Sequence, residues 1–239
     1  MERCRVAHLR AAGLAANIVR IAQEAEPLGY ASVWTYERLL RPVAELPAPD
    51  GSMRRIPAQY RLTYEPLETL SYVAAVTERV RLGTSVIDAL LHPPVVLARR
   101  FATRMNPKPV QERIPVLLGP TTPAGARRAG RIADGLNPIA FSAEVVPALA
   151  GTFRQAAERA GRDLAGLTVV VRANVPLSRE PLGDGRPFLG GSPGQIAEDL
   201  ARLEPAGVDE VLFSSIAARD LETEVGLLAE LRVAVAATA

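Results

Sequence analysis

His92–Gly119, HPPVVLARRFATRMNPKPVQERIPVLLG, is a seam between two runs of strand–helix units. Pro93 and Pro94 suit the first turn of a helix, where a missing N–H costs little, and the apolar run behind them predicts a helix over Pro93–Arg104. Pro115–Gly119 reads as a short apolar strand. Very little chain lies between the two. Upstream, three strand–helix units precede the seam. Downstream, the same rhythm resumes after Asn106.

Working outward, Arg5–Leu9 is a candidate first strand. Leu14, Ile18, Ile21, Ala22, Ala25 and Leu28 recur at helical spacing, and Gly29 ends that helix. Ala31–Thr35 is a compact apolar strand. Glu37–Tyr64 breaks the pattern, because Pro42, Pro47, Pro49, Gly51 and Pro57 forbid a long regular element. Loops of this length are either lids and binding loops or plain surface excursions. Pro66–Arg79 is an amphipathic helix and Val80–Asp88 a third strand. Past the seam come a helix over Thr122–Asp134, a strand over Leu136–Ile139 and a helix over Ala143–Ala160. The β-branched strand Leu167–Pro176, a helix over Pro193–Pro205, the strand Val208–Phe213 and a last helix over Glu222–Val235 complete the chain.

Seven strands alternate with helices, and every connection is long enough for a right-handed crossover. The fold class is α/β, read as a parallel barrel of the TIM type with seven recognisable strands. Eight strands is the common closed number, because tilt, stagger and radius are linked. A wall of seven that does not close leaves two strand edges that something must cover.

Composition narrows the function classes. The chain has 239 residues with 48% hydrophobic, ample for one core, and Lys+Arg at 28 nearly balances Asp+Glu at 26. The arginines are scattered and aromatics are only 5%, so a nucleic-acid surface is not expected. No apolar run reaches the ~20 residues of a transmembrane helix, and the N-terminus has no apolar leader core, so the expectation is a cytoplasmic protein with no membrane partner. Cys4 is the one cysteine, which excludes an internal disulfide; with two histidines far apart, no metal site is expected.

Four segments carry a resemblance: AQEAEPLGYASVW (Ala22–Trp34), YEPLETLSYVAAVTERVRLGTSV (Tyr64–Val86), HPPVVLARRFAT (His92–Thr103) and IADGLNP (Ile132–Pro138). In order and spacing they resemble the luciferase-like monooxygenase family, especially its F420-dependent branch, with residues 1–239 as one such domain. The family continues after the equivalent of FAT with a Leu-Asp and a Leu-Ser-Gly-Gly-Arg motif and a glycine-rich fourth strand. Here Phe101–Thr103 runs through Arg104 and Met105 straight into Asn106–Gln111, so the fourth-strand region is missing.

The resemblance implies an oxidoreductase or monooxygenase using reduced F420 or FMN on a small organic substrate. It also implies a homodimer through the helices Pro66–Arg79 and Pro93–Arg104. It places a bulge with a non-prolyl cis peptide, which supports the cofactor ring, at Ser85, Val86 and Ile87. The missing segment includes glycine-rich backbone that borders the cofactor in the family. A cofactor-free cyclase or isomerase reusing the vacated pocket, and a non-catalytic paralogue, therefore stay open. The one glycine-rich stretch, Gly183–Gly194, reads as a loop leading into a helix capped by Ser192, or else as an anion site at that helix start.

Independently of the family, barrel chemistry sits at strand C-terminal ends. That rule selects His8, Trp34, Tyr36, Glu37, Asp88, His92, Asn137, Asn174, Ser214 and Ser215. His8 and His92 are the only histidines, so acid–base work near neutral pH falls to them or to a carboxylate. We assign Asp88, His92 and Glu37 to catalysis, and Asn137 and Asn174, with residues 85–87, to the cofactor. His8, Trp34, Tyr36 and Ser214 are assigned to the substrate pocket. Asp88 is expected to be partly buried, and Trp34 is equally readable as plain core.

Overall fold

The computed structural model describes residues 6–8, 15–47, 53–56, 60, 63–102, 114–215 and 220–237. Cys4, the linker 103–113 and Leu14 lie outside the described residues. The elements are β1 (Val6–His8), α1 (Ala15–Ala25), β2 (Ser32–Thr35), β3 (Leu46–Pro47), β4 (Met53–Arg54), α2 (Pro66–Ala74), β5 (Arg81–Thr84) and α3 (Pro94–Ala102). After the seam come β6 (Leu117–Leu118), α4 (Pro123–Ile132), β7 (Gly135–Leu136), α5 (Val145–Arg159), β8 (Thr168–Val175), α6 (Pro193–Leu203), β9 (Glu210–Ser215) and α7 (Leu221–Ala237).

Seven strands form one parallel sheet in the order β5-β2-β1-β9-β8-β7-β6. The expected strands all lie in it. β1 joins the halves, pairing with β2 on one side and β9 on the other. The described edge strands are β5 and β6, the two that flank the seam. The order is that of a barrel wall cut where the fourth strand would stand.

Alternation along β8 shows how the wall works. Val169, Val171, Ala173 and Val175 are buried in the main core, together with Val33, Val211 and Phe213 of other strands and with Ile18, Val73, Phe153, Ile196 and Leu231 of the helices. The intervening Val170, Arg172 and Asn174 face the other way. Val170 and Leu212 form a second, smaller cluster with Trp34 and Leu117, which marks the inside of the wall. Thus the main core fills the layer between sheet and helices.

The inner floor is polar. Trp34 Nε1 donates to Ser32 Oγ at 2.7 Å, and that hydroxyl donates to Glu210 Oε2 at 3.2 Å. Glu210 also pairs with Arg81. Gly83 lies in register with Trp34, and a Cβ there would sit 2.5 Å from the indole. Only glycine lets the ring lie flat against β5.

Several boundaries contract relative to the sequence reading. α2 ends at Ala74 rather than Arg79, because the carboxylate of Glu26 takes the N–H groups of Glu78, Arg79 and Val80 at 2.8, 2.5 and 3.0 Å and pulls that stretch into a turn. The third strand stops at Thr84, four residues early, and a 3₁₀ turn over Ala89–Leu91 follows. The long loop contains a short antiparallel hairpin, β3–β4, that its prolines concealed. The glycine-rich stretch is a lead into α6. Ser192 and Gln195 form a reciprocal capping box, and Leu182 N–H also donates to Gln195 Oε1.

Candidate functional site

The chain leaves β2 at Thr35 and β5 at Thr84, and the two exits are stitched together. Ser85 N–H donates to Thr35 O at 2.7 Å, and Glu37 N–H donates to Val86 O at 2.8 Å. The Ser85–Val86 peptide is cis and non-prolyl, at the expected position. Val86 is exposed and Ile87 half-buried.

This stitching aims the Glu37 side chain. Its Oε1 lies 2.7 Å from His92 Nε2, and its Oε2 accepts the Asp88 N–H at 2.9 Å. The two side chains are largely covered, at 10% and 16% exposure. The 3₁₀ turn brings His92 back toward Glu37 after β5. A carboxylate held by a backbone N–H and an imidazole fixes the ring's orientation and selects which nitrogen takes a proton. Asp88 departs from expectation. Its carboxylate is exposed, because the chain turns outward there into the 3₁₀ helix, and only its backbone joins the cluster.

Across the cut wall, Ser85 Oγ donates to Asn137 Oδ1 at 2.7 Å. Asn137 follows β7; its Nδ2 donates to Val170 O and its backbone N–H to Leu118 O, both at 2.7 Å. Both residues are buried, at 4% each. The bond therefore links the exit of one edge strand to the strand next to the other edge. It is a side-chain clasp where a backbone ladder would otherwise run.

The remaining pocket residues stand on the inner wall. His8 is in register with Trp34, and Asn174 with Ser214. The side chains of His8 and Ser215 lie outside the described residues. Trp34 and Asn174 are half-buried. Ser214 is 1% exposed, and its Oγ has no hydrogen-bond partner. Tyr36 meets Tyr60 edge-on at 5.5 Å, and Arg38 stacks on Tyr60 at 4.5 Å, so the long loop folds back beside the Glu37 segment.

The sequence reading missed Arg172. It lies between Val170 and Asn174 on the inner face, and burial pushes its guanidinium below its ordinary pKa. Its Nε is buried without a partner. The period-two pattern of VVVRAN places Arg172 on the same face as Asn174, which was the available signal. Among the described residues, no three His, Cys, Asp or Glu side chains gather as a metal site. Nor is any described helix long and apolar enough to cross a membrane.

A family model for luciferase-like monooxygenases matches residues 4–104 and 103–181. The chain belongs to that family. The two matched pieces meet at the seam. No curated protein matches the sequence. Among solved structures, the chain is similar to a coenzyme F420-dependent tetrahydromethanopterin reductase from Methanopyrus kandleri, at 13% identity and TM-score 0.70, over 95% of this chain and 97% of that one. It is also similar to an F420-dependent secondary alcohol dehydrogenase in complex with an F420–acetone adduct, at 13% identity and TM-score 0.74, over 98% and 99%. A third is the oxygenating constituent of 3,6-diketocamphane monooxygenase from Pseudomonas putida in complex with FMN, at 12% identity and TM-score 0.68, over 99% and 98%. At these identities the likeness establishes the fold, a luciferase-like barrel in shortened form.

Proposed function

We propose that the protein is an oxidoreductase that uses reduced F420 or FMN on a small organic substrate at the C-terminal mouth of its barrel. The observation that carries this reading is the Glu37–His92 pair, closed to 2.7 Å at the exits of β2 and β5. Neighbours of the same fold that hold F420 or FMN support the choice of cofactor.

The residues present fit such a group. A flat ring with a polar edge needs hydrogen-bonding groups on an otherwise apolar wall. Ser214 Oγ is buried and unpaired, and Asn174 stands beside it in register. Ser85, Val86 and Ile87 would support the ring from the β5 side, with Asn174 facing it. Asn137 would act by position, since its amide is already engaged by Ser85 and Val170. When bound, F420 or FMN supplies the hydride or reducing equivalents.

The chain's own contribution is acid–base and positional. A hydrogen on His92 Nε2 donates to Glu37, which leaves Nδ1 as the nitrogen that takes or gives a proton. Glu37 holds the imidazole in that orientation, and Trp34 lines the wall. The proposed setting is cytoplasmic. For assembly we propose a homodimer through α2 and α3. On α3, Val95 and Val96 are 76% and 43% exposed, whereas Leu70 and Val73 of α2 belong to the core. A monomeric mass by light scattering contradicts the dimer.

The test is titration of the protein with F420 and with FMN, followed by absorbance, then oxidation of the reduced cofactor by small carbonyl compounds. Binding of one cofactor by about 50 μM is expected. Failure of both removes the proposal. The seam, where part of the family's cradle is missing, favours one second reading: a cofactor-free cyclase or isomerase using Glu37 and His92. Turnover without either cofactor selects it.

A further inference from the structure

Arg172 is a permanent cation on the inner wall of the barrel. Among the described residues, no carboxylate pairs with it, although Arg81, Arg100, Arg179 and Arg186 all have acidic partners. Its room is made by Gly119, where a Cβ would stand 3.1 Å from Arg172 Nη2 and 3.0 Å from Asn137 O. On the adjacent strand, Ser214 lies on the same face, one alternation further toward the mouth, since Arg172 pairs with Leu212 and Asn174 with Ser214. Arg172 Nε and Ser214 Oγ are two of the three buried side-chain polar atoms without a partner among the described residues. Both orphaned donors stand on the inner face, Ser214 on β9 and Arg172 on β8 with its Nη2 at Gly119 beyond β6. Arg172 is half-buried with its Nε covered and unpartnered; a cation so placed is costly unless something answers its charge, and its planar fork matches the paired oxygens of a carboxylate or phosphate.

We propose that Arg172, assisted by Ser214, binds the anionic end of a small organic molecule lodged in the barrel, through a carboxylate or phosphate group. The inference rests on the reading that the barrel holds a small molecule, and it adds the ligand's charge and the residue that selects it. The anion has two possible sources, a carboxylate-bearing substrate or a phosphorylated one.

Trp34 is the only tryptophan and lies on the same inner wall, so its emission reports occupancy. The protein is titrated at constant ionic strength with hexanoate, with neutral hexanamide and with inorganic phosphate. The expected result is that an anion shifts the Trp34 emission at a concentration at least about tenfold below that of hexanamide. Arg172→Gln abolishes that preference, Arg172→Lys keeps part of it, and Ser214→Ala weakens it by about two- to fivefold. Preference for hexanoate assigns the site to an acidic substrate; preference for phosphate assigns it to a phosphorylated ligand. If hexanoate and hexanamide titrate alike and phosphate is silent, the hollow exists and the anion site is refuted. If the preference survives in Arg172→Gln, Arg172 is not the anion's partner. If none of the probes shifts the emission, the ligand-holding barrel falls with it. Should Arg172→Gln fail to fold, the parent's selectivity and Arg172→Lys decide.

Discussion

Asn137→Ala opens the clasp that spans the cut wall. The substitution removes two buried hydrogen bonds of 2.7 Å, from Ser85 Oγ and to Val170 O. It leaves a buried hydroxyl and a buried carbonyl short of a partner, each costing about 1–3 kcal/mol. A loss of about 3 kcal/mol is expected, which for a chain of this size lowers Tm by about 6–12 °C. Ser85→Ala breaks only the first bond and costs about 1–2 kcal/mol. In the double variant the shared bond is counted once, so the two losses fall short of adding by about 1 kcal/mol. The assay is thermal and urea denaturation of the parent, both single variants and the double variant. An Asn137→Ala variant within about 0.5 kcal/mol of the parent, or strictly additive losses, refutes the clasp.

Three further outcomes follow from other contacts. The Glu26 carboxylate is held below its ordinary value of 4.5, first by the Arg79 N–H and then by those of Val80 and Glu78. A depressed folded pKa contributes stability that is complete above the unfolded value and is lost as pH falls through the folded one. Glu26→Gln therefore has a lower Tm than the parent at pH 7, and the gap narrows below about pH 4.5; a gap independent of pH from 7 to 3 contradicts this. Asp199 is 2% exposed and takes Arg186 in a fork at 2.5 and 3.1 Å, as well as the Leu189 N–H at 2.8 Å. Arg186→Ala leaves that carboxylate to the Leu189 N–H and to the more exposed Arg202 at 3.6 Å, and costs about 1.5–3 kcal/mol in urea unfolding, more than an exposed pair would. At the mouth, Glu37→Gln and His92→Asn each lower kcat by about 10²-fold or more with cofactor binding retained. Unchanged turnover in both removes the acid–base role.

The order of elements was readable because it rests on local chemistry. Gly29 stops α1, Ser192 and Pro193 start α6, and apolar runs of strand length alternate with helical spacing. Element ends were overdrawn where a partner from elsewhere intervenes. Glu26 captures the N–H groups of residues 78–80, fifty residues away, and no local pattern announces that. The same holds at the site. Glu37 and His92 were each picked out as strand-end residues, but their contact depends on a cis turn and a 3₁₀ helix between β5 and α3. Asp88 was misjudged for the same reason. The Ser85–Asn137 clasp depends on how far the wall curls once a unit is missing, which is a property of the whole sheet. Arg172 was visible in the alternation of β8, though its lack of a partner was not.

The most direct measurement uses Trp34 as a donor inside the barrel. Its emission is recorded as F420 or FMN, whose absorption overlaps it, is added to saturation, with equilibrium dialysis giving the bound fraction. Emission from Trp34 is expected to be almost wholly lost in step with binding. Binding by dialysis with Trp34 emission left intact would place the cofactor outside the barrel and rule out the proposed site.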